Sequence, residues 1–429
     1  MRASVLIPLP LDGAYDYLIP EGMQVGCGDF VRVPLGRREV VGVVWAVSEG
    51  QAPDGFDPSK MKDILDRLDL RPLPETLMTF IDWLANYTLS LPGLVLKLAL
   101  TAPGVFDPPK MKSAYVLSDV TPERMTAARE RVIAVLEDQL PRTTPELADE
   151  AGVSPSVIKG MAEIGALLSV PRAADAPFTD PDPNFGGVTL SASQNAAADV
   201  LSGKVTAATY SVTLLDGVTG SGKTETYFEA VAACLQQGQQ ALILLPEIAL
   251  TVQFLDRFEA RFGCRPGLWH SDLSQRERRR TWKAVADGKV QVLVGARSAL
   301  FLPYPDLGLI IVDEEHEQAF KQEEGVIYHA RDMAVVRASI GKLPIVLSTA
   351  TPSLETMINV EQGRYDLVTL DSRHGAAQLP AITAIDLRED KPEQGRWLSP
   401  VLVDALSANF EAGNQAMLFL NRRGYAPLT

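Results

Sequence analysis

Cysteine is scarce: the 429 residues include three, Cys27, Cys234 and Cys264. None forms a C-x-x-C pair, so zinc-finger spacing is excluded. A sparse, odd set fits a reduced, cytoplasmic setting better than a disulfide framework. Long apolar runs are also lacking. The nearest, Leu91–Leu100, is broken by Pro92, Gly93 and Lys97, whereas a membrane-spanning helix needs about 20 predominantly apolar residues. The opening MRASVLIPLPLDG interrupts its apolar run with prolines and has no small-residue cleavage site, so no signal peptide is expected. Excess positive charge is missing as well. Lys and Arg number 40 against 54 Asp and Glu, a net charge of -14. That excludes a surface attractive to polyanions over its whole extent, but leaves room for a local basic groove. One candidate runs from Asp256 to Arg297, with ten basic against five acidic residues. It contains Arg276, Arg278, Arg279 and Arg280, which read either as a solvated helix face or as phosphate contacts.

What is present divides into regions. The length implies roughly two to four domains, and 46% apolar with 22% charged residues is a globular composition. Residues 1–105 begin with short β-rich segments separated by Gly, Pro and Asp, followed by a helix over about Pro74–Leu89 with apolar residues at i, i+3, i+4 and i+7. Residues 106–173 suggest a strand, an amphipathic helix and then two short helices around Gly152, a winged-helix pattern. Its second helix carries only Lys159 as a cation, which is poor for reading a groove. Residues 174–187, rich in Pro, Ala and Asp, read as a linker. From Val188 onward short β-branched strands alternate with helices, the signature of a doubly wound, mainly parallel sheet.

Three motifs in that last region carry chemistry. GVTGSGKT, Gly217–Thr224, fits G-x-x-x-x-G-K-[ST] between a strand and a helix. Gly217, Gly220, Ser221 and Gly222 would let backbone N–H groups surround a phosphate, Lys223 would reach the β- and γ-phosphates, and Thr224 would ligate magnesium. DEEH, Asp313–His316, ends another apolar strand: Asp313 is the second expected magnesium ligand, Glu314 the base that orients water, and His316 a nucleotide sensor. STATPS, Ser348–Ser353, would couple the nucleotide to a bound strand. Gln194, upstream of the glycine-rich loop, suits reading of an adenine edge. Thr251, Arg297 and Ser298 follow successive strands and offer donors to phosphates.

These strings together resemble the superfamily 2 helicases, and among them the primosomal N-prime (PriA) family of bacterial replication-restart helicases. DGVTGSGKTE, LLPEIALT, GARSALF, DEEH with FKQEEGVIYHARD, STATPSLET and FLNRRGYAP carry the likeness. So do GAYDYLIPEG and VRVPLGRREVVGVV near the N-terminus. The resemblance implies that Phe320 to His329 is an aromatic-rich loop sensing single-stranded DNA, with Tyr328 stacking on a base. It also implies that Asp16, flanked by Tyr15 and Tyr17, accepts a hydrogen bond from a terminal 3′-OH while Tyr15 stacks on that base.

The architecture expected is therefore multidomain α/β: a β-rich 3′-end-binding domain at 1–105, a winged helix at 106–173, a RecA-like ATPase lobe at 188–372, and the start of a second lobe at 373–429. ATP and Mg2+ are the implied cofactors; zinc is expected only in a longer family member, beyond the RRGYAP segment. Forked and single-stranded DNA, single-stranded-DNA-binding protein and other primosome proteins are the implied partners of a monomer without membrane attachment. The implied activity is ATP-driven 3′→5′ unwinding at stalled forks. A rival expectation is a fork-binding platform that recruits restart proteins and has an incomplete ATPase, because the arginines of a second lobe are not in the chain.

Overall fold

Strand β1 (Arg2–Leu6) opens an antiparallel five-stranded sheet with β2 (Tyr15–Leu18), β3 (Phe30–Leu35), β4 (Arg38–Ser48) and β5 (Asp66–Arg67), in the order β2-β1-β4-β3-β5. The computed structural model describes residues 1–49, 61–102, 104–107, 111–122, 124–173, 178–246, 251–370 and 381–419. The alternation of β4 sends Val44 to one face and Val43 to the other. The β3–β4 hairpin turns in two residues, and Gly36 takes the positive φ of 62° that such a turn demands. The Val44 face closes over Ala3, Val5, Tyr17, Val31 and Val33. Helices α1 (Glu75–Thr88) and α2 (Pro92–Ala99) share a core with the Val43 face.

The next unit runs β6 (Met111–Leu117), α3 (Ala127–Leu136), β7 (Arg142–Thr143), α4 (Thr144–Glu150), α5 (Pro155–Glu163) and β8 (Leu167–Ala173). Its strands pair in the order β7-β6-β8. Thr143 and Glu146 form a capping box at the start of α4. Val132, Leu136, Leu147, Ile158 and Met161 fill a small core that is its own.

A larger α/β unit follows: α6 (Ala192–Ala207), β9 (Ser211–Gly217), α7 (Lys223–Gln236), β10 (Gln240–Leu244), α8 (Val252–Phe262), β11 (Gly267–Trp269), α9 (Gln275–Ala286), β12 (Val292–Gly295) and β13 (Leu307–Asp313). The chain then adds a short ladder of β14 (Lys321–Gln322) and β15 (Tyr328–His329), then α10 (Ala330–Gly341), β16 (Pro344–Thr349), α11 (Leu354–Glu361) and β17 (Asp366–Leu370). Seven strands pair in parallel in the order β11-β12-β10-β13-β16-β9-β17. Near-continuous apolar strands, such as the fully buried QALIL of β10, are what a sheet covered on both faces requires.

The N-terminal sheet and this α/β unit do not stand apart. One continuous core joins Phe30, Leu77 and Phe80 to Trp282, Leu300 and Phe301. Trp282 of α9 is fully buried, donates its indole N–H to the Ala99 carbonyl at 2.7 Å, and meets Phe30 edge-on at 6.0 Å. The expected linker is likewise held. Over residues 178–187, Asp182 N–H donates to the Phe262 carbonyl, Arg261 donates to Pro183, and Arg280 lies over the Phe178 ring at 4.2 Å.

Residues Gly375–Thr429 form a separate unit with α12 (Pro400–Glu411). The strand expected after that helix is absent from residues 412–419, and the NRRGYAP part of its motif lies outside the described residues. Trp282→Ala should destabilise the chain by about 3–5 kcal/mol, the usual cost of removing a fully buried tryptophan. A urea unfolding midpoint equal to that of the unaltered chain would show that the two units do not depend on this contact.

Candidate functional site

The carboxyl ends of β9, β13 and β16 lie side by side, because Asp313 pairs with Ser348 and Thr349 with Asp216 in the ladder. That register gathers the three motifs at one edge. The glycine-rich loop leaves β9 and enters α7 at Gly222, whose φ of 85° suits only glycine. A Cβ there would come within 2.2 Å of the Gln194 amide nitrogen. Lys223 is buried and donates to the Gly217 carbonyl at 2.7 Å. The Ser221 hydroxyl is buried with no hydrogen-bond partner. An orphaned hydroxyl and a buried ammonium beside a positive-φ glycine fit a phosphate group that would engage both.

Asp313 is held from several sides. Its Oδ2 accepts from the Tyr227 hydroxyl at 2.9 Å, and its Oδ1 from Ser348 Oγ at 2.7 Å and from the Glu314 N–H at 3.1 Å. Glu314 adopts φ 50°, a left-handed conformation costly for a residue with a Cβ. Burial pushes its carboxyl pKa above the ordinary value and the Asp313 charge adds to this, against the pull of Lys223 and His316. His316 Nδ1 meets Thr349 Oγ1 at 2.7 Å, a direct bond from DEEH to STATPS.

The sequence did not single out Glu315. It is fully buried and accepts from Arg331 at 3.0 Å, from the Ser353 N–H at 2.7 Å, and from the Ser353 and Thr356 hydroxyls at 3.0 Å each. This network ties the DEEH turn to α10 and to the start of α11. Its signal was present as the arginine of HARD and the serine of TPSLET, but only the fold brings them to one carboxylate.

Gln194 closes a capping box at α6, accepting from the Ser191 N–H and donating to the Ser221 carbonyl at 2.7 Å. It also lines a cavity of about 260 Å³ with Val188, Gly222 and Arg257. Its polar atoms thus already brace the loop.

The candidate DNA contacts fare unevenly. Thr251 caps α8 through the Phe254 N–H. Ser298 accepts from the Trp269 indole at 3.1 Å. Arg297 donates to the Ala319 and Lys321 carbonyls, holding the start of the loop expected to sense DNA. In that loop Phe320 is 1% and Tyr328 6% exposed, and Tyr328 packs edge-on against Phe301 at 5.2 Å. Base stacking by these two rings does not fit this arrangement: the loop folds back and spends both in the core. His329 N-caps α10 and is half-buried, and burial lowers its pKa. Arg278 is turned toward the His270 and Ser271 carbonyls, so the arginine run is partly structural.

At the N-terminal sheet, Tyr15 is 43% exposed, while Tyr17 is buried and donates to the Pro34 carbonyl. Tyr17 is therefore packed in the core, while Tyr15 is left at the surface. Asp16 accepts from Ser4 Oγ and lies 3.5 Å from Arg2, whose Nε and one terminal nitrogen are buried without hydrogen-bond partners. Arg2 is a second polar residue at this position that the sequence reading passed over.

Comparison with known proteins bears directly on these two centres. Residues 4–101 match the PriA 3′DNA-binding domain (3′BD) family, and residues 192–360 the DEAD/DEAH box helicase family. The replication restart protein PriA of Rickettsia felis is 36% identical over 433 residues, which is 99% of this chain and 54% of that protein. The chain is similar to PriA over nearly its whole length. PriA of Bacillus subtilis is 32% identical over 97% of this chain and 61% of its own length. The chain thus spans about half the length of the PriA relatives it matches. A structure of RecG bound to a three-way DNA junction aligns over 45% of the chain, at 20% identity and a TM-score of 0.35.

Arg331→Ala should cost about 3–5 kcal/mol, since it strands a buried carboxylate. Arg331→Lys should recover part of that loss. Equal denaturation midpoints for Arg331→Ala and the unaltered chain would show that Glu315 is satisfied by the Ser353 and Thr356 donors alone.

Proposed function

We propose that this chain is the fork-recognising and ATP-driven part of a replication-restart helicase. It would bind stalled or abandoned forks, use ATP and Mg2+ to unwind DNA 3′→5′, and start primosome assembly. The observation that supports this most is the meeting of GVTGSGKT, DEEH and STATPS at one sheet edge, in a unit whose core is continuous with a β-rich domain of the 3′BD family. Lys223 and Ser221 would hold phosphates. Thr224 and Asp313 would hold magnesium, which when bound neutralises developing phosphoryl charge. Glu314, raised in pKa and next to Asp313, would orient the attacking water and take its proton.

The His316–Thr349 bond gives a route by which nucleotide state reaches STATPS. The same reading makes Asp16, with Tyr15 beside it, the acceptor of a free leading-strand 3′-OH, and Thr251, Arg297 and Ser298 the strand-end donors to phosphates. It makes residues 106–173 a winged helix, residues 373–429 the start of a second lobe, and single-stranded-DNA-binding protein and other primosome proteins the partners. Among the described residues no helix is long and apolar enough to cross a membrane; the reading puts the protein in the cytoplasm, as a monomer.

The first test is ATP hydrolysis with and without a synthetic fork carrying a leading-strand 3′ end. Fork-stimulated turnover supports a motor; fork binding without turnover supports a binding platform instead. Lys223→Ala should weaken nucleotide binding about 10–100-fold, the value of a charged hydrogen-bonding partner, and spare fork binding. Asp16→Ala should weaken only forks with a free 3′-OH; equal losses on blocked forks would make Asp16 structural. Because Glu314 works deprotonated and its pKa is raised, turnover should fall with pH already above the ordinary glutamate range. An acid limb at the ordinary value would remove Glu314 as the base.

A further inference from the structure

Tyr227 belongs to none of the motifs, yet it closely follows one of them and bonds to another. It lies one turn after Lys223 on α7, on the same side of that helix. Its ring is fully buried, with Phe228 edge-on at 5.4 Å. Its hydroxyl donates to Asp313 Oδ2 at 2.9 Å, and Thr224 stands three residues earlier on the same helix. A phenylalanine would fill the same space. Burying the extra O–H carries a desolvation cost that the bond to Asp313 offsets.

We infer that Tyr227 is a positioning residue of the metal-nucleotide site: its hydroxyl bridges α7, which carries Thr224, to Asp313 and fixes the direction in which the carboxylate faces magnesium. The inference rests on the nucleotide reading proposed above. Asp313 Oδ1 is turned toward Ser348 and the Glu314 N–H. Without a donor on the opposite side, the carboxylate is free to rotate toward that pair.

The test uses the whole chain with Tyr227→Phe. Binding of a fluorescent ADP is titrated without metal and then against magnesium, and bound Mn2+ is counted by electron paramagnetic resonance. Metal-free nucleotide affinity should stay within about twofold, while the magnesium midpoint should rise about tenfold or more, the usual effect of losing a partner that orients a metal ligand. Equal midpoints in the two proteins would overturn the inference. If Tyr227→Phe fails to fold, 3,5-difluorotyrosine at position 227 keeps the ring and changes the donor's acidity. A midpoint that moves more than about twofold, the margin allowed above for metal-free binding, then supports the bridge, and an unmoved one overturns it. Absence of magnesium-dependent nucleotide binding in the unaltered chain would instead sink the nucleotide reading itself.

Discussion

The parallel pairing of β9, β13 and β16 is the constraint on which the rest depends. Parallel strands deliver all their carboxyl ends to one edge, and the helices needed to return the chain cover both faces. Three motifs far apart in sequence therefore arrive at one edge, and DEEH and STATPS bond to each other directly. Asp313 then acquires a serine from β16 and a tyrosine from α7, and His316 acquires a threonine. Each of these bonds crosses between elements, so a change in one strand end is felt in the others.

Around that edge lies a shell of buried polar groups in which Glu315 is the largest hub. A fully buried carboxylate is tolerable only when its lone pairs are all met, and here a guanidinium, a backbone N–H and two hydroxyls meet them. Such a shell gives the DEEH turn one arrangement, including the left-handed Glu314. The same economy explains the loop beyond it. Phe320 and Tyr328 anchor the loop by burial, and Arg297 holds its start through carbonyls. Ile327, 59% exposed, is left outside.

The fusion of the N-terminal sheet with the α/β unit is built on aromatic packing. Trp282 sits on the helix that carries the arginine run, and its N–H ends on the last residue of α2. Phe80 packs on Phe301, which in turn packs on Tyr328. A continuous chain of aromatic contacts thus leads from the 3′BD-matching unit to the loop beside DEEH. Packed chains of this sort can carry coupling where they have two arrangements.

Much was legible in the sequence because it depends on local rules. Short β-rich segments between Gly, Pro and Asp marked the first sheet, apolar runs marked the parallel strands, and the glycine spacing marked the phosphate loop, whose Gly222 conformation no other residue adopts easily. Long-range partners were not legible. That Phe320, Tyr328 and Tyr17 are buried, that residues 178–187 are strapped to α8, and that Tyr227, Glu315 and Arg331 share the site all follow from which surfaces meet. An aromatic ring in a loop reads the same in sequence whether it awaits a base or fills a core. The sequence alone determined the motifs, the fold class and the strand order of chemistry. Only the tertiary structure decided which polar groups face one another, because burial and hydrogen-bond satisfaction are properties of neighbours in space rather than along the chain.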